Sequence, residues 1–123
     1  MSPRASATAH ELSRAPLLAE LPGETLALLA KRMTRDELPA GAAVVSEGAD
    51  GDRFYVVLTG LLSVTQANYG PREVLRPGAY FGEVALALGV PRTASVHTLT
   101  PVTVASCDRA TFDEFIRPLF ADD

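Results

Sequence analysis

The spacing of the hydrophobic residues changes near residue 35. Before that point they recur at helical intervals, for example at Leu26 and Leu29, and a proline suits the start of this segment. The pattern predicts a helix over about Pro22–Lys31, with a shorter helix over about His10–Arg14 before it. Residues 1–9 are rich in Ser, Ala and Thr, and we expect them to form a flexible tail.

Beyond residue 35, short β-rich runs alternate with turn residues. The turns contain Gly, Pro, Asn and Asp, which favour reversal of the chain direction. Regularly spaced short strands of this kind are typical of an antiparallel barrel or sandwich. The predicted strands cover residues 44–45, 53–58, 61–65, 94–98 and 102–106.

The end of the chain returns to a helical pattern. Asp108 is a suitable N-cap for a helix over about Arg109–Ile116, and Pro118 is expected to end this helix. The chain is therefore predicted to be one mainly β domain with flanking helices. Its predicted parts are a flexible tail over 1–9, N-terminal helices over 10–34, a β-barrel over 35–108, and a C-terminal helix and tail over 109–123.

Composition narrows the class of protein. The chain has 123 residues, a formal net charge of −4 and 47% hydrophobic residues, which fits one soluble globular domain. It lacks the basic field that nucleic acid binding requires, so we expect no direct contact with nucleic acid. No stretch has the length and hydrophobicity of a membrane span, and no secretory signal is recognisable. We therefore expect a cytoplasmic location without membrane insertion.

Few residues offer metal-binding or catalytic chemistry. Cys107 is the single cysteine, which excludes an internal disulfide, and we expect a structural thiol. His10 and His97 have no partners at metal-ligand spacing, so no metal or other cofactor is predicted. The sequence has no Gly-rich dinucleotide loop, no phosphate loop with Gly-Lys-Ser/Thr and no nucleophile elbow, so we do not expect an enzyme.

One segment combines the groups that a ribose phosphate requires. Gly82 allows a ligand to approach the backbone because it has no Cβ, and the helix predicted after it presents N–H groups without partners inside the helix. Arg92 can donate a planar fork of N–H groups to two phosphate oxygens. Glu83 only accepts hydrogen bonds when ionised, which suits a sugar hydroxyl rather than a phosphate.

Two motifs in this part of the chain resemble those of the cyclic nucleotide-binding domain family. This family includes bacterial catabolite-activator regulators, cyclic-nucleotide-dependent kinases and gated channels. The resemblance extends over about Leu17–Ile116, and both motifs occur in the order and spacing of the family. The first motif is Val44-Val45-x-x-Gly48-Ala49-x-Gly51-x-x-Phe54-Tyr55-Val56-Val57-x-x-Gly60. The second resembles the phosphate-binding cassette and is Phe81-Gly82-Glu83-Val84-Ala85-Leu86, five further residues, and Arg92-Thr93-Ala94-x-Val96-x-Thr98.

The resemblance implies a jelly-roll β-barrel (double-stranded β-helix) of about eight strands, with N-terminal helices and one short C-terminal helix. It implies that Arg92 binds the equatorial phosphate oxygens and that Glu83 binds the ribose 2′-hydroxyl. The other implied ligand contacts are Phe81, Gly82, Val84, Ala85, Thr93 and Ala94 in the cassette, and Val64 and Tyr80 on the base and ribose side of the barrel.

By this resemblance the chain is a regulatory or sensor domain that binds a 3′,5′-cyclic nucleotide and transmits binding to an attached or separate effector protein. The favoured ligand is cAMP. The alternative is cGMP, since family members that prefer either nucleotide carry a hydroxyl at the position of Thr93 and this residue does not decide between them. The long C-terminal lid helix of the family is not expected, since only Leu119 to Asp123 follow Pro118. The chain is then either a domain excised from a larger protein or a stand-alone module that works through a partner.

Two other functions fit less of the sequence. A degenerate barrel could bind no nucleotide and act as a scaffold through protein contacts. The missing lid helix favours the scaffold, whereas Glu83 and Arg92 argue against it. A cupin-like metal enzyme would need clustered histidine and carboxylate ligands, which His10 and His97 alone cannot supply.

Overall fold

The structure, a computed structural model, describes residues 6–120 and consists of a two-sheet β-barrel with helices at both ends. It confirms the predicted mainly β, eight-stranded jelly roll. The strands are β1 (Thr34–Leu38), β2 (Ala43–Val45), β3 (Arg53–Thr59), β4 (Leu62–Gln66), β5 (Gly70–Leu75), β6 (Tyr80–Phe81), β7 (Ser95–Thr98) and β8 (Val102–Asp108). The helices are α1 (Ala9–Ser13), α2 (Pro16–Ala19), α3 (Gly23–Arg32), α4 (Glu83–Leu88) and α5 (Arg109–Thr111), which continues as a π-helical turn (Phe112–Ile116) and a 3₁₀ turn (Arg117–Phe120).

Both sheets are antiparallel and pair strands that are distant in sequence. The strand order is β1-β8-β3-β6 in the first sheet and β2-β7-β4-β5 in the second. The turn before β3 and the segment before β7 meet at one end of the barrel, where the Arg92 N–H donates to the Ala49 carbonyl and the Gly48 N–H donates to the Arg92 carbonyl, both at 2.8 Å. This interleaving brings the two sequence motifs together.

Strand β3 separates two hydrophobic cores, because side chains on a strand alternate between its faces. Phe54, Val56 and Leu58 pack with the helices, whereas Val57 packs between the two sheets. Strand β8 alternates in the same way. Burial on both faces explains why the sequence of β3 is an unbroken apolar run.

The N-terminal and C-terminal helices pack on the outer face of the first sheet. Leu12, Leu29 and Phe112 are fully buried in the core that they share with β3. At its surface, the Arg32 guanidinium donates to the Glu114 carboxylate at 2.6 Å. The two ends of the described chain therefore form one helical layer.

Four elements were not predicted from the sequence, and each has a physical reason. Strand β6 has only two residues, too few for an alternating pattern to appear. Strands β1 and β5 lie at sheet edges and carry mostly polar residues, so their sequences lack the apolar alternation that identifies a strand. Helix α2 begins at Pro16, where the sequence predicted only the end of the preceding helix. Proline can start a helix in this way because it is tolerated in the first turn. The predicted helix over Pro22–Lys31 agrees with α3 to within one residue at each end.

Two expectations about the chain ends need correction. The predicted flexible tail over 1–9 is packed from residue 6, where Ser6 forms a β-bridge with Thr34 and the buried Ala7 donates its N–H to the Met33 carbonyl at 3.2 Å. Residues 1–5 and 121–123 lie outside the described part of the chain. Pro118 does not end the C-terminal helical segment, because it lies in the 3₁₀ turn, whose first positions need no N–H donor.

Asp108 provides a test of how the C-terminal helix is stabilised. Its carboxylate accepts a hydrogen bond from the Thr111 N–H at 2.9 Å, and this bond lowers the pKa of Asp108 below its ordinary value of 3.8. We expect Asp108→Ala to lower the free energy of unfolding by about 1 kcal/mol at neutral pH. Because the folded-state pKa is lowered, this stabilisation is present above pH 3.8 and is lost as the pH falls through the folded-state value.

Urea unfolding of the wild type and Asp108→Ala, from about pH 7 down to about pH 2.5, measures the difference. Asp108→Asn is the control, because its amide oxygen can cap the helix but does not titrate. A difference between wild type and Asp108→Ala that stays constant to the lowest pH would contradict this account.

Candidate functional site

A cavity of about 200 Å³ lies between α4, β6 and the inner face of the second sheet. All ten residues predicted as ligand contacts line it: Val64, Tyr80, Phe81, Gly82, Glu83, Val84, Ala85, Arg92, Thr93 and Ala94. The cavity has four further lining residues: Val45, Glu73, Leu75 and Val96. Val45 and Val96 belong to the two motifs, so strand alternation applied to those motifs could have found them.

Gly82 positions the start of α4. It is the N-cap of this helix and has a φ of 95°, in the left-handed region that favours glycine. A Cβ at this position would lie 2.7 Å from the Arg53 carbonyl oxygen and 2.9 Å from Arg92 Nη1. Glycine is therefore required both by the turn and by the close approach of Arg92. The first N–H groups of α4 have no partner within the helix and remain available to an anion.

Arg92 is a buried cation at the floor of the cavity. It is 7% exposed, and it donates from Nη1 to the Gly82 carbonyl at 3.1 Å and from Nη2 to the Arg53 carbonyl at 2.8 Å. Within residues 6–120 it forms no ion pair with a carboxylate. Burial lowers the pKa of Arg92, and the charges of Tyr55, Asp52 and Glu83 oppose that shift. The guanidinium is thus fixed in place with donors left over for a ligand, since arginine has five N–H donors.

The turn between β2 and β3 also packs against Arg92. A Cβ on Gly51 would lie 2.5 Å from Arg92 Nε and 2.7 Å from the Ala85 Cβ. The turn is also hydrogen-bonded to the backbone of Arg92 through Gly48 and Ala49. Gly51 of the first motif therefore makes room for the arginine of the second.

Glu83 and Tyr80 give the cavity a polar side next to α4. Glu83 is half-buried in the first turn of α4. Burial raises the pKa of Tyr80, and the negative charge of Glu83 raises it further, so the phenol keeps its proton at neutral pH. One side of the cavity therefore offers a carboxylate acceptor and a hydroxyl group that can donate.

The opposite wall is a single transverse row of side chains on the second sheet. Val45 pairs with Val96, Val96 pairs with Val64, and Val64 pairs with Glu73 across the order β2-β7-β4-β5. All four residues line the cavity. Three valines form an apolar surface suited to a flat ring, and the row ends in a carboxylate on the edge strand.

The C-terminal segment is attached to the far end of α4. Arg109 Nη1 and Arg117 Nη2 both donate to the Leu86 carbonyl at 3.1 Å, and Arg117 Nη1 donates to the Ala87 carbonyl at 3.2 Å. These carbonyls lie in the last turn of α4, where helical partners are lacking, so the two arginines cap the helix. The ring of Phe120 lies 5.5 Å from that of Tyr80, which lines the cavity.

Other candidate chemistry remains isolated within residues 6–120. Cys107 is buried, and burial raises its pKa to about 12, so the thiol is not reactive at neutral pH. No cluster of three or more His, Cys, Asp or Glu side chains that could hold a metal is found in this range. No helix among these residues is both long and apolar enough to cross a bilayer.

The chain is similar to known proteins over most of its length. The family model described as "Cyclic nucleotide-binding domain" matches residues 35–118. A cAMP-dependent protein kinase regulatory subunit of Eremothecium gossypii is 35% identical over 108 residues, which cover 88% of this chain and 24% of that protein. A cyclic nucleotide-gated potassium channel of Mesorhizobium japonicum is 39% identical over 97 residues, which cover 79% of this chain and 26% of that protein.

A solved structure of similar fold is the regulatory domain of Toxoplasma gondii PKA with cAMP. It has a TM-score of 0.84 and 26% sequence identity, with 90% of this chain and 44% of that chain covered. The chain spans about a quarter of the length of several curated relatives that it matches, among them the regulatory subunit of Eremothecium gossypii. The similarity therefore concerns the barrel domain and not the remainder of those proteins.

The space beside Gly51 can be tested by adding one methyl group. We expect Gly51→Ala to lower the free energy of unfolding by about 1–3 kcal/mol, because its Cβ would overlap Arg92 and Ala85 in a packed region. Gly23→Ala is the matched control, since a Cβ there would have no atom within 4 Å. Thermal and urea unfolding of both variants measure the effect. Equal stability of the two variants would contradict the close packing of Gly51 on Arg92.

Proposed function

The chain belongs to the cyclic nucleotide-binding domain family, and we propose that the cavity beside α4 binds a 3′,5′-cyclic nucleotide as a regulatory ligand that is not chemically transformed. The observation that carries this proposal is Arg92. A buried guanidinium that is held by carbonyls, with no carboxylate partner within residues 6–120, is suited to receive an anion from solution.

The roles of the lining residues follow from their chemistry. We assign the phosphate to Arg92 and the first N–H groups of α4, next to Thr93 and Ala94. We assign the ribose 2′-hydroxyl to Glu83, which accepts a hydrogen bond from it. The base and ribose then lie against Val64 and its neighbours in the apolar row, with Tyr80 at the side. In this assignment the ligand site lies within the barrel of residues 35–108.

These contacts are sufficient for a micromolar complex. A hydrogen bond to a charged group contributes about 1.5–3 kcal/mol, and Arg92 and Glu83 supply about three of them. Burial of the base adds to this, while association and side-chain ordering cost several kcal/mol. A net value near −8 kcal/mol corresponds to a dissociation constant of about 1 μM.

We propose cAMP as the first ligand to test, with cGMP as the alternative. The kinase regulatory subunits and the solved structure described above carry cAMP in their names. Thr93 lines the cavity but does not discriminate between the bases by itself, because a hydroxyl can donate to or accept from either.

We further propose that binding is transmitted to an effector protein, attached or separate, in the cytoplasm. A ligand shifts a conformational equilibrium only by its difference in affinity for the two states. The cap that Arg109 and Arg117 place on α4 provides a route, since any movement of α4 toward a bound phosphate changes those hydrogen bonds. The relatives include a kinase subunit and a channel, so the type of effector is not part of the proposal.

Isothermal titration of the chain with cAMP and cGMP tests the proposal. We expect micromolar binding that weakens at least about 30-fold in Arg92→Ala, because the phosphate then lies in a buried site without its cation. Arg92→Lys keeps the charge but not the planar fork and is expected to fall between the two. Arg76→Ala is the matched control, since Arg76 is exposed and does not line the cavity.

Thermal unfolding of each variant shows whether Arg92→Ala still folds. If the folded wild type binds neither nucleotide, or if folded Arg92→Ala binds as tightly as the wild type, the proposed site is wrong. The scaffold hypothesis would then be favoured.

The role of Glu83 can be isolated with a ligand that lacks its proposed partner. We expect 2′-deoxy-cAMP to bind the wild type about tenfold more weakly than cAMP, because one hydrogen bond to a carboxylate is lost. In Glu83→Ala the two ligands are expected to bind within about twofold of each other, since the partner is already missing. The four affinities form a double-mutant cycle measured by titration. Equal losses in both proteins would show that Glu83 does not contact the 2′-hydroxyl.

A further inference from the structure

Glu73 is the one charged residue in the transverse row that forms the apolar wall of the cavity. It lies on β5 directly opposite Val64, in line with Val96 and Val45 on the neighbouring strands. Leu75, two positions along the same strand, also lines the cavity, so Glu73 is on the inward-facing side of β5. Neither an ion pair nor a hydrogen bond engages its carboxylate within residues 6–120, so it is free to contact a ligand.

The distance across the sheet places Glu73 where the base of a bound nucleotide would lie. Strand β5 is two strands away from β7, or roughly 10 Å at the usual spacing between strands. Arg92 lies just before β7 and holds the phosphate end in the proposed function. A nucleotide that extends from Arg92 along the row of valines therefore presents the edge of its base to Glu73.

The two purines differ at that edge in the hydrogen bonds that they offer. An ionised carboxylate only accepts hydrogen bonds. Guanine presents two adjacent donors, N1–H and the 2-amino group, which match the two oxygens of a carboxylate. Adenine presents one donor, the 6-amino group, next to the N1 acceptor, which a carboxylate repels.

We propose that Glu73 is a specificity-determining residue that raises the affinity of this site for guanine relative to adenine. The inference rests on the proposed function, because it concerns the base of the ligand that Arg92 and Glu83 bind. It is expressed as a ratio of two affinities, so it holds whichever nucleotide binds more tightly. Glu73 is an exposed residue, so water competes for the carboxylate and the expected effect is about tenfold rather than several orders of magnitude.

An inward-facing charge on an edge strand has another known effect, since it hinders pairing of that edge with a second chain. Strand β5 is an edge strand, so this effect must be separated from ligand recognition. The two differ in what they predict. Protection of the edge concerns the association state of the protein, whereas recognition concerns the ratio of nucleotide affinities.

Titration of cGMP, cIMP and cAMP into the wild type, Glu73→Gln and Glu73→Val tests the inference. The affinity for cGMP divided by that for cAMP is expected to fall about tenfold in Glu73→Val, because both acceptors for the guanine donors are removed. In Glu73→Gln the ratio is expected to fall about threefold, because an amide presents one acceptor and one donor, which match adenine and also the N1–H and O6 of guanine. In the wild type, cIMP is expected to bind more weakly than cGMP because it lacks the 2-amino group, and this difference disappears in both variants.

The use of ratios removes the general effect of deleting a negative charge, which strengthens the binding of every anionic nucleotide. Glu20→Gln is the matched control, since Glu20 is exposed and outside the cavity, and its ratio is expected to equal that of the wild type.

A ratio that changes less than twofold in both Glu73 variants, while all proteins bind nucleotide, overturns the inference and leaves the proposed function intact. If the affinity ratio is unchanged and Glu73→Val forms dimers in size-exclusion chromatography, the role of Glu73 is protection of the sheet edge. No binding of any nucleotide by the wild type overturns both proposals.

Discussion

The pocket depends on how one buried cation is held. A charged group inside a protein is costly unless hydrogen bonds compensate for the lost water, and Arg92 is compensated by two backbone carbonyls. One carbonyl belongs to the turn that starts α4 and the other to the start of β3. Gly51 and Gly82 leave the space that the guanidinium occupies. The two motifs occur together in the sequence because they are the two sides of one packing arrangement.

Much of the candidate site could be predicted because its polar chemistry is local in sequence. Gly82 and Glu83 are adjacent, and Arg92 follows in the next loop, so residue type and spacing were sufficient to identify them. Glu73 could not be found in this way. A glutamate in a polar edge strand has the pattern of an exposed residue, and its inward orientation depends on the register between β5 and β4. The β4–β5 pairing is irregular between Val64 and Thr65, so counting residues from the turn does not give the side of the sheet on which Glu73 lies.

The same distinction explains which parts of the fold could be predicted. The boundaries of α3 and the capping role of Asp108 depend on neighbouring residues. The predicted boundaries agree with the structure to within one residue, and Asp108 is the N-cap as predicted. Strand β3 is buried on both faces and stands out as an apolar run, and β8, buried in the same way, as a run of valine and small residues. The edge strands β1 and β5 have neither pattern. Packing of Ala7 against Met33 is tertiary, so composition alone wrongly indicated a flexible segment there.

The pairing of β1 with β8 has a consequence for how the chain is made. Thr34 and Ser106 are partners, so the first sheet cannot close until nearly all of the barrel has left the ribosome. At 5–20 residues per second, β1 waits roughly 4–14 seconds for its partner strand. Contacts between such distant residues also slow folding after release, because a long loop must close first. During that interval the exposed edge of β1 is polar, and its charged Arg35, Asp36 and Glu37 disfavour association with other nascent chains.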